Sequence, residues 1–272
     1  MPFKKVEHTS RTPRRVLIQG PPNSFKTTAL TRLPRHQVEG DDGNCFVISM
    51  PGEKGYDTLP TDEPDLKSFI WEADVAEKTS SQAIVTAVEA LVFGVLAGKH
   101  GTPVSVGLDG AHKYYDYVLD AVTGGVFFRG ESFETNLYAR AHERFKFFLN
   151  QVNSTPVPYI WWTSWDGREV DSPELAKALG SKAPSHIFPE FPGKMAKKIM
   201  GEFSIVLYSN VKWKVDGSME AEWQLRPQGT VWGAAVKAPL EVVERLPVTI
   251  PQDFKVLEQA LQGAWEPKGG KK

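Results

Sequence analysis

Short apolar runs and helical periodicities alternate along this chain. Val16-Leu17-Ile18-Gln19, Cys45-Phe46-Val47-Ile48-Ser49-Met50 and Val104-Ser105-Val106-Gly107-Leu108 are compact and largely apolar on both faces, as buried parallel strands are. Tyr159-Ile160-Trp161-Trp162-Thr163-Ser164 is a fourth such run, rich in aromatics, and Ser204 to Trp213 is a longer fifth. Between them, Lys26 to Leu33 reads as a helix stopped by Pro34. Ser81 to Lys99 carries Ile84, Val88, Leu91 and Val95 at spacings of three to four, a helical rhythm, and Asn136 to Val152 reads the same way. Lys194 to Phe203 and Gln252 to Ala264 add two further helices, and Ala221 to Lys237 reads as a strand pair or hairpin.

Strands alternating with helices predict an α/β fold: a mostly parallel central sheet flanked by helices through right-handed crossovers, with a C-terminal β-rich extension. No internal repeat and no long low-complexity linker divides the chain. A single domain over residues 15–264 is therefore expected, preceded by a basic arm (1–14) and followed by a disordered tail (265–272). Residues 120–136 and 165–193, Gly-rich and Pro-rich respectively, are the expected mobile loops.

Charge and composition narrow the classes. A formal net charge of -1 over 272 residues gives no overall attraction to nucleic acid or anionic membrane, so any DNA contact must come from a local patch or from assembly. The single cysteine, Cys45, excludes an intramolecular disulfide framework and a Cys-based zinc site, and fits a reducing cytoplasm. No run approaches the roughly 20 apolar residues that span a bilayer. The basic stretch Met1 to Arg15 runs straight into a strand and not into an apolar signal core. A cytoplasmic chain without a membrane partner is expected.

The turn after the first strand carries chemistry. Gly20-Pro21-Pro22-Asn23-Ser24-Phe25-Lys26-Thr27-Thr28 follows the pattern G-x-x-x-x-G-K-[ST] at Gly20, Lys26 and Thr27, and it lies between a strand and a helix. There the pattern works because backbone N–H groups surround phosphate oxygens, the lysine reaches the β- and γ-phosphates, and the hydroxyl holds Mg²⁺. ATP and Mg²⁺ are the expected ligands. Phe25 departs from the pattern at the second glycine, so its side chain must point away from the phosphates. Asn23 tolerates left-handed backbone better than most residues.

Hydrolysis on such a scaffold needs a carboxylate at a neighbouring strand tip for Mg²⁺ and another to polarise water. Val104 to Leu108 ends in Asp109, the candidate Mg²⁺ carboxylate beside Thr27. The residues that follow, Gly110, Ala111 and His112, hold no acid, so the activating carboxylate is sought in Glu53, just past the second strand, with Asp57 and Glu72 as weaker rivals. Thr163 and Ser164, at the end of the fourth strand, are candidate γ-phosphate sensors, and His112 and Lys113 are candidates for the cleft wall.

Taken together, these segments resemble the phage nucleotide-binding proteins of the AAA/RecA-like class, including RecA-core ATPases linked to single-strand annealing. The resemblance runs through Val16 to Thr28, the Asp109 strand and Trp161-Trp162-Thr163-Ser164-Trp165, and continues through Phe191-Pro192-Gly193-Lys194-Met195-Ala196 and Phe203-Ser204-Ile205-Val206. It ends at Trp232-Gly233-Ala234-Ala235-Val236-Lys237-Ala238-Pro239-Leu240. Phe25, and Trp165 where histidine is usual, depart from it.

The resemblance implies a RecA-like P-loop NTPase, self-association into a ring or filament, and a role in phage DNA recombination or replication beside other proteins of those processes. In such assemblies a basic residue from one subunit reaches its neighbour's γ-phosphate. Lys194, Lys197, Lys198, Arg226 and Lys237 are candidates, and the same basic cluster could touch DNA phosphates, helped by Lys4, Lys5, Arg11, Arg14 and Arg15 of the arm. The leading expectation is an ATPase acting on single-stranded DNA. The alternative is a nucleotide-gated scaffold or assembly protein in which Phe25 has weakened turnover. A small-molecule kinase would need an arginine-rich lid, and residues 165–193 carry only Arg168.

Overall fold

The computed structural model describes residues 14–36, 44–75, 79–170, 174, 185–192, 195–227 and 231–265. Its core is a six-strand parallel array. Strands β1 (Arg14–Gln19), β2 (Asn44–Ser49), β3 (Ile70–Glu72), β4 (Pro103–Asp109), β5 (Tyr159–Ser164) and β8 (Ile205–Trp213) lie in the order β8-β1-β5-β4-β2-β3. Strands β9 (Met219–Gln224) and β12 (Thr249–Pro251) extend the β8 edge antiparallel. The short β11 (Ala235–Val236) pairs with Ile205 and Val206 of β8, below the stretch that β9 occupies. The expected mostly parallel α/β sheet with a β-rich C-terminal part is therefore present.

Strand alternation splits the core into two layers. Leu17, Phe46, Ile48, Val106, Leu108, Ile160, Trp162 and Val206 face one layer. It is filled by helices α2 (Ser81–Leu96), α3 (Ala111–Val122) and α4 (Thr135–Asn153), through residues such as Val88, Tyr114, Tyr115, Phe145 and Phe148. Val16, Ile18, Val47, Trp161, Ile205 and Leu207 face the other, against α1 (Lys26–His36), α6 (Leu240–Arg245) and α7 (Phe254–Trp265). Both tryptophans of β5 are core: Trp161 stacks on Trp223, and Trp162 packs edge-on to Phe145 and Phe148. Gly107 has a local reason. A Cβ there would lie 3.2 Å from Leu30 Cδ1, so the glycine lets α1 settle onto β4.

Several expectations are corrected. Helix α1 continues to His36 with Pro34 in its last turn, where a missing N–H costs one hydrogen bond and does not end the helix. Among the described residues of 221–237, β9, β10 (Val231–Trp232) and β11 pair with other strands and not with one another. A second, three-stranded sheet joins β6 (Asp166–Val170), β7 (Ser185–Pro189) and β10, so parts of the expected 165–193 loop are strand. In 120–136, Asp120 Oδ1 accepts from the Phe128 N–H at 2.9 Å and its carbonyl from the Gly125 N–H at 2.8 Å, so that turn is tied. Helix α5 is short (Met195–Ile199) and is followed by a 3₁₀ turn over 200–202.

Arg14 and Arg15 also leave the arm they were assigned to. Both belong to β1. Arg14 pairs with Glu258 at 3.4 Å. Arg15 is buried and donates to the carbonyls of Asn153, Thr155 and Val157, fastening the turn before β5. Arg15, so engaged, is not free to meet DNA. Lys4, Lys5, Arg11 and the tail residues 266–272 lie outside the described residues.

Candidate functional site

The parallel register aligns the strand ends. Gln19 stands opposite Ser164, and Asp109 opposite Ser49, so the loops after β1, β2, β4 and β5 converge at one sheet edge. That is where open parallel sheets hold ligands. A cleft of about 340 Å³ opens there, walled by residues 22–28, Gly52 to Gly55, Asp109, His112, Lys113, Thr163 and Trp165.

The loop from Gly20 to Phe25 wraps around the amine of Lys26. Lys26 Nζ donates to the carbonyls of Gly20 (2.9 Å) and Pro21 (2.7 Å) and to Ser24 Oγ (3.2 Å). Burial pulls its ammonium down to about 8, partly offset by Asp109, Asp166 and Glu53. Two non-glycine residues of the loop are left-handed: Asn23 at φ 62° and Phe25 at φ 61°. Asparagine accepts this readily; a bulky aromatic does not, and carries about 1–2 kcal/mol of strain. Alternating backbone hand of this kind turns successive N–H groups toward one concavity, which suits an anion.

What holds the strained loop comes from far along the chain. Ser209, on β8, donates from Oγ to the Ser24 carbonyl at 2.7 Å, and Gln252 Nε2 donates to the same carbonyl at 3.0 Å. Gln252 Nε2 also donates to Ser209 Oγ. Gly20 is required by the same strand, since a Cβ there would lie 2.5 Å from the Ser209 carbonyl oxygen. The clamp was not read from the sequence, because only the β8–β1 adjacency brings Ser209 to the loop.

Opposite Lys26 lies a buried carboxylate with two hydroxyls. Thr27 Oγ1 donates to Asp109 Oδ2 at 2.6 Å and Thr163 Oγ1 to Asp109 Oδ1 at 2.5 Å. The Gly110 N–H donates to Thr163 Oγ1 at 2.9 Å, with Gly110 left-handed at φ 90° to start α3. Burial raises the Asp109 carboxyl, and the two hydroxyls and Lys26 counter it. Gly55 closes over this pair; any side chain there would collide with Thr27 Oγ1. Ser164, paired with Thr163 in expectation, does not wall the cleft. Adjacent strand residues face opposite sides, and its hydroxyl donates to the Trp165 carbonyl.

Glu53 reaches the cleft from the loop after β2, held by its N–H to the Met50 carbonyl at 2.9 Å. Burial, and then Asp109, push its carboxyl up to about 7. Its Oε2 faces His112 Nε2 at 3.7 Å, and neither atom has a hydrogen-bond partner. His112 Nδ1 accepts from the Trp165 N–H at 3.4 Å, which assigns the proton to Nε2. Burial drops the imidazole to about 3, so it is neutral and makes no ion pair with Glu53. The rivals Asp57 and Glu72 are exposed and do not wall the cleft.

The other basic candidates are not brought to this place. Lys197 and Lys198 are exposed on α5, with the Lys197 amine 5.2 Å from the Phe188 ring centre. Lys237 donates to the Gly201 carbonyl, and Arg226 is half-buried. None of these four walls the cleft, and Lys194 lies outside the described residues. Thr28 is buried within α1 at the cleft edge.

Among the described residues no helix is long and apolar enough to cross a membrane, and no group of three or more His, Cys, Asp or Glu side chains could by itself hold a metal ion. A pair such as Thr27 and Asp109 suits Mg²⁺ instead, which takes few protein ligands and fills its shell with phosphate oxygens and water.

No protein-family model matches the chain, and no curated protein matches it. Among solved structures 169 chains match. One, described as a prototypical ATPase from the type III secretion system of pathogenic bacteria, aligns over 72% of this chain and 52% of its own at 11% identity, with a TM-score of 0.44. The chain spans about half the length of that protein. The likeness is too distant to assign residues, and the site's own geometry carries the functional reading.

Proposed function

We propose that this chain is a RecA-like P-loop protein that binds ATP with Mg²⁺ in the cleft and hydrolyses it. The observation that carries the reading is the convergence of Lys26, Thr27 and Asp109 at a loop whose backbone is forced left-handed at two non-glycine positions. A chain tolerates such strain where the shape itself is needed.

In this reading the N–H groups of residues 22–28 bind the phosphates. Lys26 exchanges the loop carbonyls for phosphate oxygens. Thr27 and Asp109 would hold Mg²⁺, which would supply charge neutralisation at the phosphates. Thr163 orients Asp109 by its short hydrogen bond. Glu53, whose carboxyl lies at about 7, acts in its carboxylate form: it accepts a proton from the attacking water and becomes a carboxylic acid, and His112 offers its Nε2–H to the carboxylate before that transfer.

A second reading, favoured by Phe25, is a nucleotide-gated assembly protein. A phenyl-bearing residue held at φ 61° stiffens the loop and slows the adjustments that turnover requires. The role on single-stranded DNA, the ring or filament and the phage setting come from the resemblance in sequence.

The test is ATP hydrolysis by the purified protein, alone and with single- or double-stranded DNA, beside Lys26→Ala. Turnover abolished by that substitution supports the ATPase. Stimulation by single-stranded DNA supports the recombination role. Tight ATP binding without turnover under every condition leaves the assembly protein.

A further inference from the structure

The cleft contains a cation that the phosphate-loop reading does not use. Lys113 lies in the first turn of α3, four residues after Asp109, and is half-buried in the cleft wall. Its amine rests over the Trp165 ring, 4.9 Å from the ring centre, and that ring packs on His112 at 4.7 Å. Among the described residues its amine forms no ion pair and no hydrogen bond. A cation–π contact at a half-open site is weak beside a charge-assisted bond to a phosphate oxygen, so the amine gives up the ring readily when an anion arrives.

Topology sets where this amine enters. Lys26 follows β1 and Lys113 follows β4, with β5 between them. The two cations therefore stand at the ends of strands flanking Thr163 and Trp165. Lys113 acts electrostatically on Glu53, His112 and Asp116, which places its charge beside the candidate base. Lys54, the remaining lysine of the wall, is exposed at the rim, where water screens it.

We propose that Lys113 is a second phosphate-contacting residue, supplied within the same chain, that recognises the terminal phosphate of a nucleoside triphosphate and so distinguishes it from the diphosphate. This rests on the phosphate-loop reading above. Trp165 is then the parking place of the lysine between ligands.

The experiment compares wild type, Lys113→Met, Lys113→Arg and Lys26→Ala by calorimetric titration with Mg²⁺ and either ADP or a non-hydrolysable ATP analogue. Melting curves of the four proteins confirm that each is folded. The expected result is an about 10- to 100-fold weaker analogue affinity in Lys113→Met, with ADP affinity changed less than about twofold and most of the loss restored in Lys113→Arg. Equal losses for both nucleotides, or no loss, overturn the role of Lys113 while Lys26→Ala still loses both. A wild-type protein that binds neither nucleotide overturns the phosphate-loop reading and the inference together.

Discussion

Replacing Phe25 by glycine and, separately, by alanine isolates the strain in the phosphate loop. At φ 61° an L side chain costs about 1–2 kcal/mol, which glycine avoids. Glycine carries extra unfolded-state entropy, about 0.5–1 kcal/mol relative to alanine at an ordinary position. Both replacements remove the same half-buried phenyl, so the burial loss nearly cancels between them. Subtracting the entropy from the strain leaves Phe25→Gly more stable than Phe25→Ala by about 0.5–1 kcal/mol, the reverse of the usual order. The assay is urea unfolding without nucleotide, followed by tryptophan fluorescence, since Trp161, Trp162 and Trp223 are buried reporters. With equal slopes the midpoints give the difference directly, and in melting temperature it amounts to about 1–3 °C. Should Phe25→Ala prove equally or more stable, residue 25 does not occupy the left-handed region and the loop does not have the shape on which the anion site depends.

Further outcomes follow from the same geometry. Asp109→Asn keeps the shape and both hydroxyl neighbours while removing a buried charge; nucleotide binding should lose its Mg²⁺ dependence with little loss of melting temperature. Glu53→Gln should lower turnover about 10²- to 10⁴-fold while leaving affinity for the ATP analogue within a few-fold of wild type. The Glu53 carboxyl titrates at about 7 folded against 4.5 for the free group, so its protonated form is favoured by folding and that contribution is lost as pH rises through 7. In Mg²⁺-free protein Glu53→Gln should therefore gain stability relative to wild type between pH 4.5 and 7 in denaturant titrations. Gly20→Ala should destabilise by about 3 kcal/mol or more through collision with the Ser209 carbonyl, whereas Ser209→Ala should mainly weaken nucleotide affinity by unclamping Ser24.

How far the sequence reaches is clear from particular residues. The strand runs at Val16, Phe46, Val106 and Ile160 were legible because fully buried parallel strands are apolar throughout, and the loop at Gly20 to Thr28 because a strand-turn-helix with Lys-Thr is local in sequence. Asp109 and Glu53 were found at strand ends by the same rule, and the structure brings both to the cleft. What was not legible depends on which strands are neighbours. The β8–β1 pairing delivers Ser209, and the β12–β9 edge precedes Gln252; neither has a local signature. His112 and Lys113 were named beside Asp109, but Trp165 as their partner requires β5 to sit next to β4. The basic residues at 197, 198, 226 and 237 do not wall this cleft, as candidates for a neighbouring subunit's site need not.

The most direct test of the nucleotide site is equilibrium titration of a non-hydrolysable ATP analogue into wild type and Lys26→Ala, each with and without Mg²⁺. Saturable one-to-one binding that weakens at least about 10-fold without Mg²⁺ and disappears in Lys26→Ala is the predicted result. Absence of saturable binding to the folded wild-type protein, or binding unchanged in Lys26→Ala, would contradict it.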